Sequence, residues 1–417
     1  MRNFLFLLLA IAMITNAGMI TPELQQAMNN SRGEFNIIVE MAEQFNVEAI
    51  KADNMIRSND AASREIVYDI LKTKAEVSQM AVNHLLNVRN VQRFWLVNAF
   101  AMTADAELIN KLAAEEAVGK IYLDVEEMMI DPQQSSEETR LVWGVEYIKT
   151  QAARDKGITG KGIVVAVVDT GVDLDHPGFA PGQVLVDQSK SFIDNEPTAD
   201  DGNGHGTHCA GTIGSKGYGV APDCKILPVK VLSAGGSGSW TAVMNGVQYA
   251  AEQKVDIMSM SLGGRASTSG NVVETAVKNA IASGVVCVIA AGNSGPSAKT
   301  IGTPGVVLEA ITVGAINSSG TIASFSSRGV TVYNTEKPDI VAPGVNVPSL
   351  WKNGGTNTIS GTSMATPHVA GLCALILQAK PGLTPAKVKA LIMDTAFGKA
   401  EANVYGKGCV DAEATTK

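Results

Sequence analysis

The sequence predicts an α/β protein built on a doubly wound, mostly parallel sheet with helices on both faces, preceded by a small α+β domain. Three observations predict it. Past Gly157, continuous apolar runs of strand length alternate with helical patterns, and strands apolar throughout belong to parallel sheets covered on both faces. Glycine becomes frequent over the same stretch, as the turns between such elements require. Upstream of it the chain is charged, poor in glycine, and ends in a strand–helix–strand pattern. With 417 residues, 45% of them hydrophobic, the chain can bury a large core and hold more than one domain. Its 33 basic and 41 acidic residues give a net charge of -8 without a dense Lys/Arg run, which argues against a nucleic-acid partner.

Residues 1–17 open with Met1-Arg2-Asn3, continue through the apolar Phe4–Ile14 and close on Thr15-Asn16-Ala17. A short basic region, an apolar core and a small-residue cleavage site read as a signal peptide rather than a membrane anchor, so a secreted protein is expected. No later stretch has the ~18 uninterrupted apolar residues of a membrane span. Residues 18–130 form the expected α+β domain, with strands at Phe35–Met41 and Phe94–Met102, a helix over Asp60–Leu86, a second over Asp105–Glu116 and a strand at Lys120–Asp124. Glu126–Thr139, rich in Gln, Ser and Glu with Pro132, reads as a linker.

Residues 131–417 carry the larger domain. Strands are expected at Ile163–Val168, Lys225–Leu232, Val255–Leu262, Val285–Ala291 and Ala310–Ala315. Trp240, Val243, Met244, Val247, Ala250 and Ala251 make the apolar face of a helix, and a further apolar helix starts near Met364. The five cysteines, Cys209, Cys224, Cys287, Cys373 and Cys409, lack metal-type spacing, and an odd number leaves at least one thiol unpaired in a monomer.

In a sheet of this kind, functional groups gather at the carboxyl ends of the strands. Asp169 directly follows one apolar run, in Asp169-Thr170-Gly171; alone it reads as a turn residue. His205 lies between glycines in Gly202-Asn203-Gly204-His205-Gly206, a poor setting for a packing residue. His84 and His208 are read as structural. Asn293 follows another buried run, where it suits an Asx turn or an amide donor to an oxyanion. Ser363, in Gly361-Thr362-Ser363-Met364-Ala365, stands at a helix start, where it reads either as an N-cap or as a nucleophile held in the positive end of the helix dipole. Carboxylate, imidazole, amide and hydroxyl are together the parts of acyl-transfer chemistry.

The blocks Val168-Asp169-Thr170-Gly171, His205-Gly206-Thr207-His208-Cys209-Ala210-Gly211, Ala291-Gly292-Asn293 and Gly361-Thr362-Ser363-Met364-Ala365 resemble, in order, the motifs of the subtilisin family of serine proteases. The resemblance spans about Thr139 to Ala414, and Gly202–Gly211 with Gly236–Val243 is nearest to the thermitase branch. It implies a subtilisin-like fold and a secreted, monomeric serine endopeptidase of broad specificity, made as a self-processing zymogen. Ser363 is then the nucleophile, His205 the general base, Asp169 its orienting carboxylate, and Asn293 an oxyanion donor. Residues 18–130 stand in the place of a propeptide acting as intramolecular chaperone and inhibitor, with autocleavage within Asp124–Ser136.

The resemblance also implies that a peptide substrate is added as a strand between Gly236-Ser237-Gly238 and Ser261-Leu262-Gly263. A primary pocket made by Ser261–Gly263, Ala290–Gly292 and Gly302 holds no carboxylate, which favours apolar or aromatic P1 residues; Trp240 contributes to an apolar P4 site. No cofactor is needed for the chemistry. The short connection between Gly211 and Ala221 argues against the strong calcium site of some relatives. Asp194, Glu196, Thr198 and Asp200, similar to a calcium loop of thermitase, place oxygen ligands at alternate positions and read equally as a structural calcium site or a solvated acidic loop. Cys209, one turn after His205, reads as a small buried hydrophobe or as a thiol able to disturb the imidazole. Competing functions are a non-catalytic peptide-binding protein or folding factor that keeps the groove, and a processing peptidase or peptide ligase sharing the acyl-enzyme.

Overall fold

The computed structural model describes residues 18–56, 60–86, 90–130, 132–134 and 142–417, so the expected signal peptide lies outside the described residues. These residues form two compact units. One comprises the chain up to Gln44 with Glu76–Arg93 and Asn98–Leu123; the other comprises Phe45–Ala75, Phe94–Val97 and Asp124–Lys417.

The smaller unit is built on a five-stranded sheet whose central strand, Glu34–Met41, is flanked antiparallel by Ala99–Asp105 and Val118–Leu123. Phe35, Ile37, Val39 and Met41 alternate into one core with Phe100, Met102, Ile109 and Leu112, the period of two expected of a one-sided sheet. The helix Ala106–Ala113 starts where Asp105 accepts from the Leu108 amide at 2.8 Å. The strand expected over Phe94–Met102 is broken: Gln92–Phe94 and Ala99–Asp105 are separate strands, with Asn98 in the left-handed region at φ 49°. The long helix expected over Asp60–Leu86 runs from Ala61 to Gln79 and then tightens to a 3₁₀ turn over Met80–Leu85.

The larger unit holds a seven-stranded, fully parallel sheet. Its spatial order is Ile340–Pro343, Ile311–Ile316, Val286–Ala290, Ile257–Met260, Val164–Asp169, Lys225–Lys230 and Lys190–Ser191. From Val164–Asp169 the chain builds first toward one edge and then returns to build toward the other. The carboxyl end of that strand is therefore the topological switch point, where α/β proteins place their ligands.

Side-chain alternation separates the two faces. Val165, Val167, Val286, Val288, Ile311 and Val313 share a core with Ile213, Met364 and Leu372 of the helices His205–Gly214 and Thr362–Ala379. The opposite face takes the helix Trp240–Glu252, which also packs against Val272–Ala282. Gly246 lets that helix approach: a Cβ there would lie 2.3 Å from a Val231 methyl. All five cysteines are buried and unpaired. No helix among the described residues is long and apolar enough to cross a membrane.

Two expectations are corrected in this unit. The supposed linker begins with a strand, Glu126–Met129, bonded antiparallel on one side to Ser237–Ser239 and on the other to Leu262–Gly263. A polar composition misled here, because a strand that lies in a cleft between two backbones needs no apolar side chains to be held. The strand expected over Val255–Leu262 stops at Met260, and Leu262–Gly263 turns away to meet Glu126–Met129. Helical residues of Phe45–Ala75 and the turn Phe94–Val97 also belong to this unit, a placement without a sequence signal. Arg64, buried, donates to Val255 O at 2.7 Å and pairs with Asp256 at 3.5 Å. Trp95 Nε1 donates to Glu252 at 2.7 Å, and its amide donates to Gln248 at 2.9 Å.

Candidate active site

Asp169 ends the strand Val164–Asp169 at the switch point, fully buried, where its Oδ1 accepts from the Thr170 amide at 2.7 Å. His205 Nδ1 lies 2.7 Å from the same oxygen, also fully buried. An ionised carboxylate can only accept, so it holds the proton on Nδ1 and leaves Nε2 as the basic nitrogen.

His205 is the first residue of its helix, and the residue before it must be glycine. Gly204 has φ 112°, and a Cβ there would lie 2.3 Å from the Trp351 ring. Gly206 is as tightly constrained, since its Cβ would stand 2.0 Å from Gly171 O. The glycines around His205 thus let two backbones approach closely enough for imidazole and carboxylate to meet.

Ser363 is the second residue of the helix Thr362–Ala379, and the N-cap position falls on Gly361 with no side-chain cap bond. The capping alternative for Ser363 is therefore corrected: the helix starts at Thr362, two residues before the apolar run that begins at Met364. Its hydroxyl lies 3.1 Å from Ile130 O and 3.3 Å from Ser261 O. Its carbonyl is placed by Pro367, which sits four residues on and has no N–H to return to it. Ser261 Oγ at 3.0 Å and Cys209 Sγ at 3.5 Å donate to that carbonyl instead.

This arrangement settles two readings. Cys209 is fully buried with its thiol pushed well above the usual range, chiefly by burial, so it packs and donates weakly rather than acting as a thiolate. Its sulfur, an Asp169 oxygen and a His205 nitrogen lie within 4.8 Å of one another, which brings the Ser363, His205 and Asp169 segments to one point. His208 and His368 are structural. Burial holds them down to about 3 and about 4, and they bond Val347 O at 3.0 Å and Met364 O at 2.8 Å.

Asn293 lies three residues beyond the strand Val286–Ala290. Its Oδ1 accepts from the Thr362 amide and hydroxyl, both at 3.0 Å. This fixes which way the amide faces and turns Nδ2 toward Gly361, where a Cβ would lie 3.1 Å from it. The donor and the start of the Ser363 helix therefore face one small volume.

The expected substrate edges are present as strands, and the chain itself lies between them. Ser237, Gly238 and Ser239 pair with Met128, Glu127 and Glu126, while Leu262 and Gly263 pair with Met129 and Met128. Gly236 supplies the turn before the first edge at φ 85°. The Trp240 amide donates to Val125 O at 2.9 Å, and the Ile130 amide to Ser261 O at 3.5 Å. Gly263 lets the Thr303 backbone approach, since a Cβ there would lie 2.5 Å from Thr303 O, and it sits beside Ile130, whose Cδ1 would be 3.9 Å from that Cβ. Gly302 donates to Ala291 O at 3.1 Å beside Gly292, and its own Cβ position lies 2.7 Å from Gly264 O, so these residues form one continuous wall.

The acidic loop does not gather its carboxylates. Among the described residues, Asp194, Glu196 and Asp200 do not bring three ligand oxygens within 4.8 Å of one another. Glu196 is engaged by the buried Lys230 ammonium at 2.9 Å and by the Ala234 amide at 3.0 Å. Asp200 accepts from the Leu174 amide at 3.4 Å. An ammonium therefore supplies counter-charge to Glu196 in the loop that carries Asp194, Thr198 and Asp200.

Comparison with known proteins agrees with this geometry. A profile described as the Subtilase family matches residues 160–408. The chain is 37% identical over 334 residues to Subtilisin E of Bacillus subtilis (strain 168), covering 78% of this chain and 82% of that protein. It is 33% identical over 375 residues to an alkaline protease of Alkalihalobacillus alcalophilus, covering 89% and 93% respectively. Among solved structures, a cold adapted subtilisin-like serine proteinase matches with TM-score 0.55 and 38% identity, over 66% of this chain and 97% of the other.

Proposed function

The chain belongs to the subtilase family of serine endopeptidases, and from that premise we propose that it is a secreted zymogen whose Ser363, His205, Asp169 and Asn293 hydrolyse peptide bonds. Ser363 Oγ attacks the carbonyl carbon of the bound peptide while His205 Nε2 takes its proton. Asp169 holds the imidazole in the required tautomer and offsets the charge of the imidazolium. The carbonyl oxygen becomes an oxyanion, which the Asn293 amide and the Ser363 N–H stabilise at the positive end of the helix. His205 then protonates the leaving amine, and water, activated by the same imidazole, releases the acyl group.

The observation that carries this reading is the seat of the chain's own tail. Glu126–Met129 lies between both substrate edges and delivers Ile130 O to 3.1 Å from Ser363 Oγ. The bond following Ile130 is then the processing bond, inside the interval expected from sequence. Ile130 beside Gly263, with Ala291, Gly292 and Gly302 completing the wall, favours apolar or aromatic P1 residues, and Trp240 borders P4. Residues 18–130 act as chaperone and inhibitor, and the Arg64 and Trp95 contacts hold them after cleavage. Chelation followed by thermal unfolding tests the acidic loop: a lowered midpoint would support a structural calcium at Asp194, Glu196, Thr198 and Asp200, and an unchanged midpoint would make it a solvated loop.

Intact mass tests the proposal. Wild type expressed alone should yield a chain beginning at Asp131, whereas Ser363→Ala should keep that bond. A Ser363→Ala protein shortened at the same bond, purified from a host without a related protease, would refute self-processing.

A further inference from the structure

Asp201 has no role in the reaction as described, yet it is buried and accepts five hydrogen bonds. Its Oδ1 accepts from Thr170 Oγ1 at 2.9 Å, from the Asn203 amide at 3.0 Å and from the Gly204 amide at 2.9 Å. Its Oδ2 accepts from the Thr207 amide at 2.9 Å and the Thr207 hydroxyl at 2.6 Å. These donors lie on three segments: the residue after Asp169, the turn entering the His205 helix, and the first turn of that helix.

The helix needs such help because its N-cap is Gly204, which has no side chain to offer. The three leading amides find acceptors elsewhere: His205 N in Asn203 Oδ1 at 3.2 Å, Gly206 N in Thr170 Oγ1 at 2.9 Å, and Thr207 N in Asp201. Thr170 is the pivot, since its hydroxyl donates to Asp201 and accepts from Gly206 while its backbone follows Asp169. Thr207 Oγ1 extends the network by accepting from the Asp173 amide at 2.9 Å.

We infer that Asp201 is a positioning residue for the reaction: its carboxylate ties the Asp169 loop to the start of the His205 helix and so sets the imidazole–carboxylate contact. The inference rests on the assignment of His205 as the base. A carboxylate is needed because five donors converge on two oxygens. An asparagine offers one acceptor oxygen, so the two donors of Thr207 or the three at Oδ1 would face an NH₂ group.

The test uses Asp201→Asn, Thr170→Val and the conservative Thr170→Ser in the full chain, matured by added wild-type enzyme that is then removed, with active sites counted by a fluorophosphonate. Asp201→Asn and Thr170→Val should lower kcat per titrated site by ~10²-fold with little change in KM, as expected for misplacement of a reacting group. The acid limb of their kcat profile should move to lower pH, because the imidazolium loses part of its contact with Asp169. Thr170→Ser, which keeps the hydroxyl, should restore kcat. An unchanged kcat per titrated site, with only the yield of sites or the unfolding midpoint reduced, would make Asp201 a helix cap and overturn the inference. Proton NMR of uncleaved Ser363→Ala and Ser363→Ala/Asp201→Asn chains needs no activity: the His205 Nδ1–H resonance should shift, and identical resonances would also overturn it. If the wild type itself fails to label, the assignment of the base fails; if it labels and Asp201→Asn reacts equally fast, only the positioning role does.

Discussion

Ser363, fully buried, owes its placement to what its neighbours accept and donate. Pro367 frees its carbonyl, Ser261 and Cys209 hold that carbonyl, and Thr362 aims the Asn293 amide at the same helix start. Asn293→Ala should therefore cost kcat far more than KM, by ~10²–10³-fold, the loss known for the corresponding donor of subtilisin; an equal loss in KM alone would show a binding role. His208 and His368 give a second prediction. Unfolding returns both imidazoles from about 3 and about 4 to their ordinary value near 6.5. The unfolded chain then binds protons that the folded one does not, so stability is full above pH ~6.5 and falls as pH drops toward ~5, by up to ~1.4 kcal/mol per unit for each group. Thermal midpoints that stay level across that window would contradict it. Asp169, His205 and Asn293 were legible because each breaks an apolar or glycine-rich pattern at a strand end or helix start. Asp201 was not, because Thr170, one of the partners that gives it meaning, is 31 residues away.

At the scale of elements, the proposed substrate groove is two short strands whose glycines have backbone directly behind them. A Cβ at Gly238 would fall 1.9 Å from Val231 O. Gly238→Ala must displace that edge, and cleavage of extended peptides should fall mainly through a higher KM; an unaltered KM would show that peptides do not pair there. The tail strand offers a complementary probe. Met128 faces Ser237 on one side and Gly263 on the other, so Met128→Pro removes a ladder donor and should slow release of the mature chain, as followed by gel densitometry. Unchanged release would mean that the ladder does not seat the tail. As strands these segments gave no periodic signal, since Ser237–Ser239 and Leu262–Gly263 are too short for one, and their proposed role came only through resemblance to a family. The tail strand was missed altogether because its partners come from distant parts of the chain, and its own composition is that of a loop.

Over the whole molecule, the parallel sheet was legible because its strands are apolar on both faces, and its order was not, because continuous apolar runs carry no register. That order has a kinetic consequence. Val164–Asp169 pairs with strands that begin 61 and 93 residues later, at Lys225 and Ile257, so the centre of the sheet forms only after large loops have closed. Refolding of 131–417 alone should be slow and should quicken when a separate 18–130 chain is added, measured by recovery of peptidase activity after dilution of the added chain. The proposed activity stands first on one assignment, that Ser363 is a nucleophile activated by His205 and Asp169. The most direct measurement is labelling of the matured protein with a fluorophosphonate, followed by peptide mapping across pH. The adduct is predicted on Ser363, forming more slowly on acidification, as the base is protonated, and almost not at all in His205→Ala. An adduct on another residue, or equal labelling rates in wild type and His205→Ala, would contradict it.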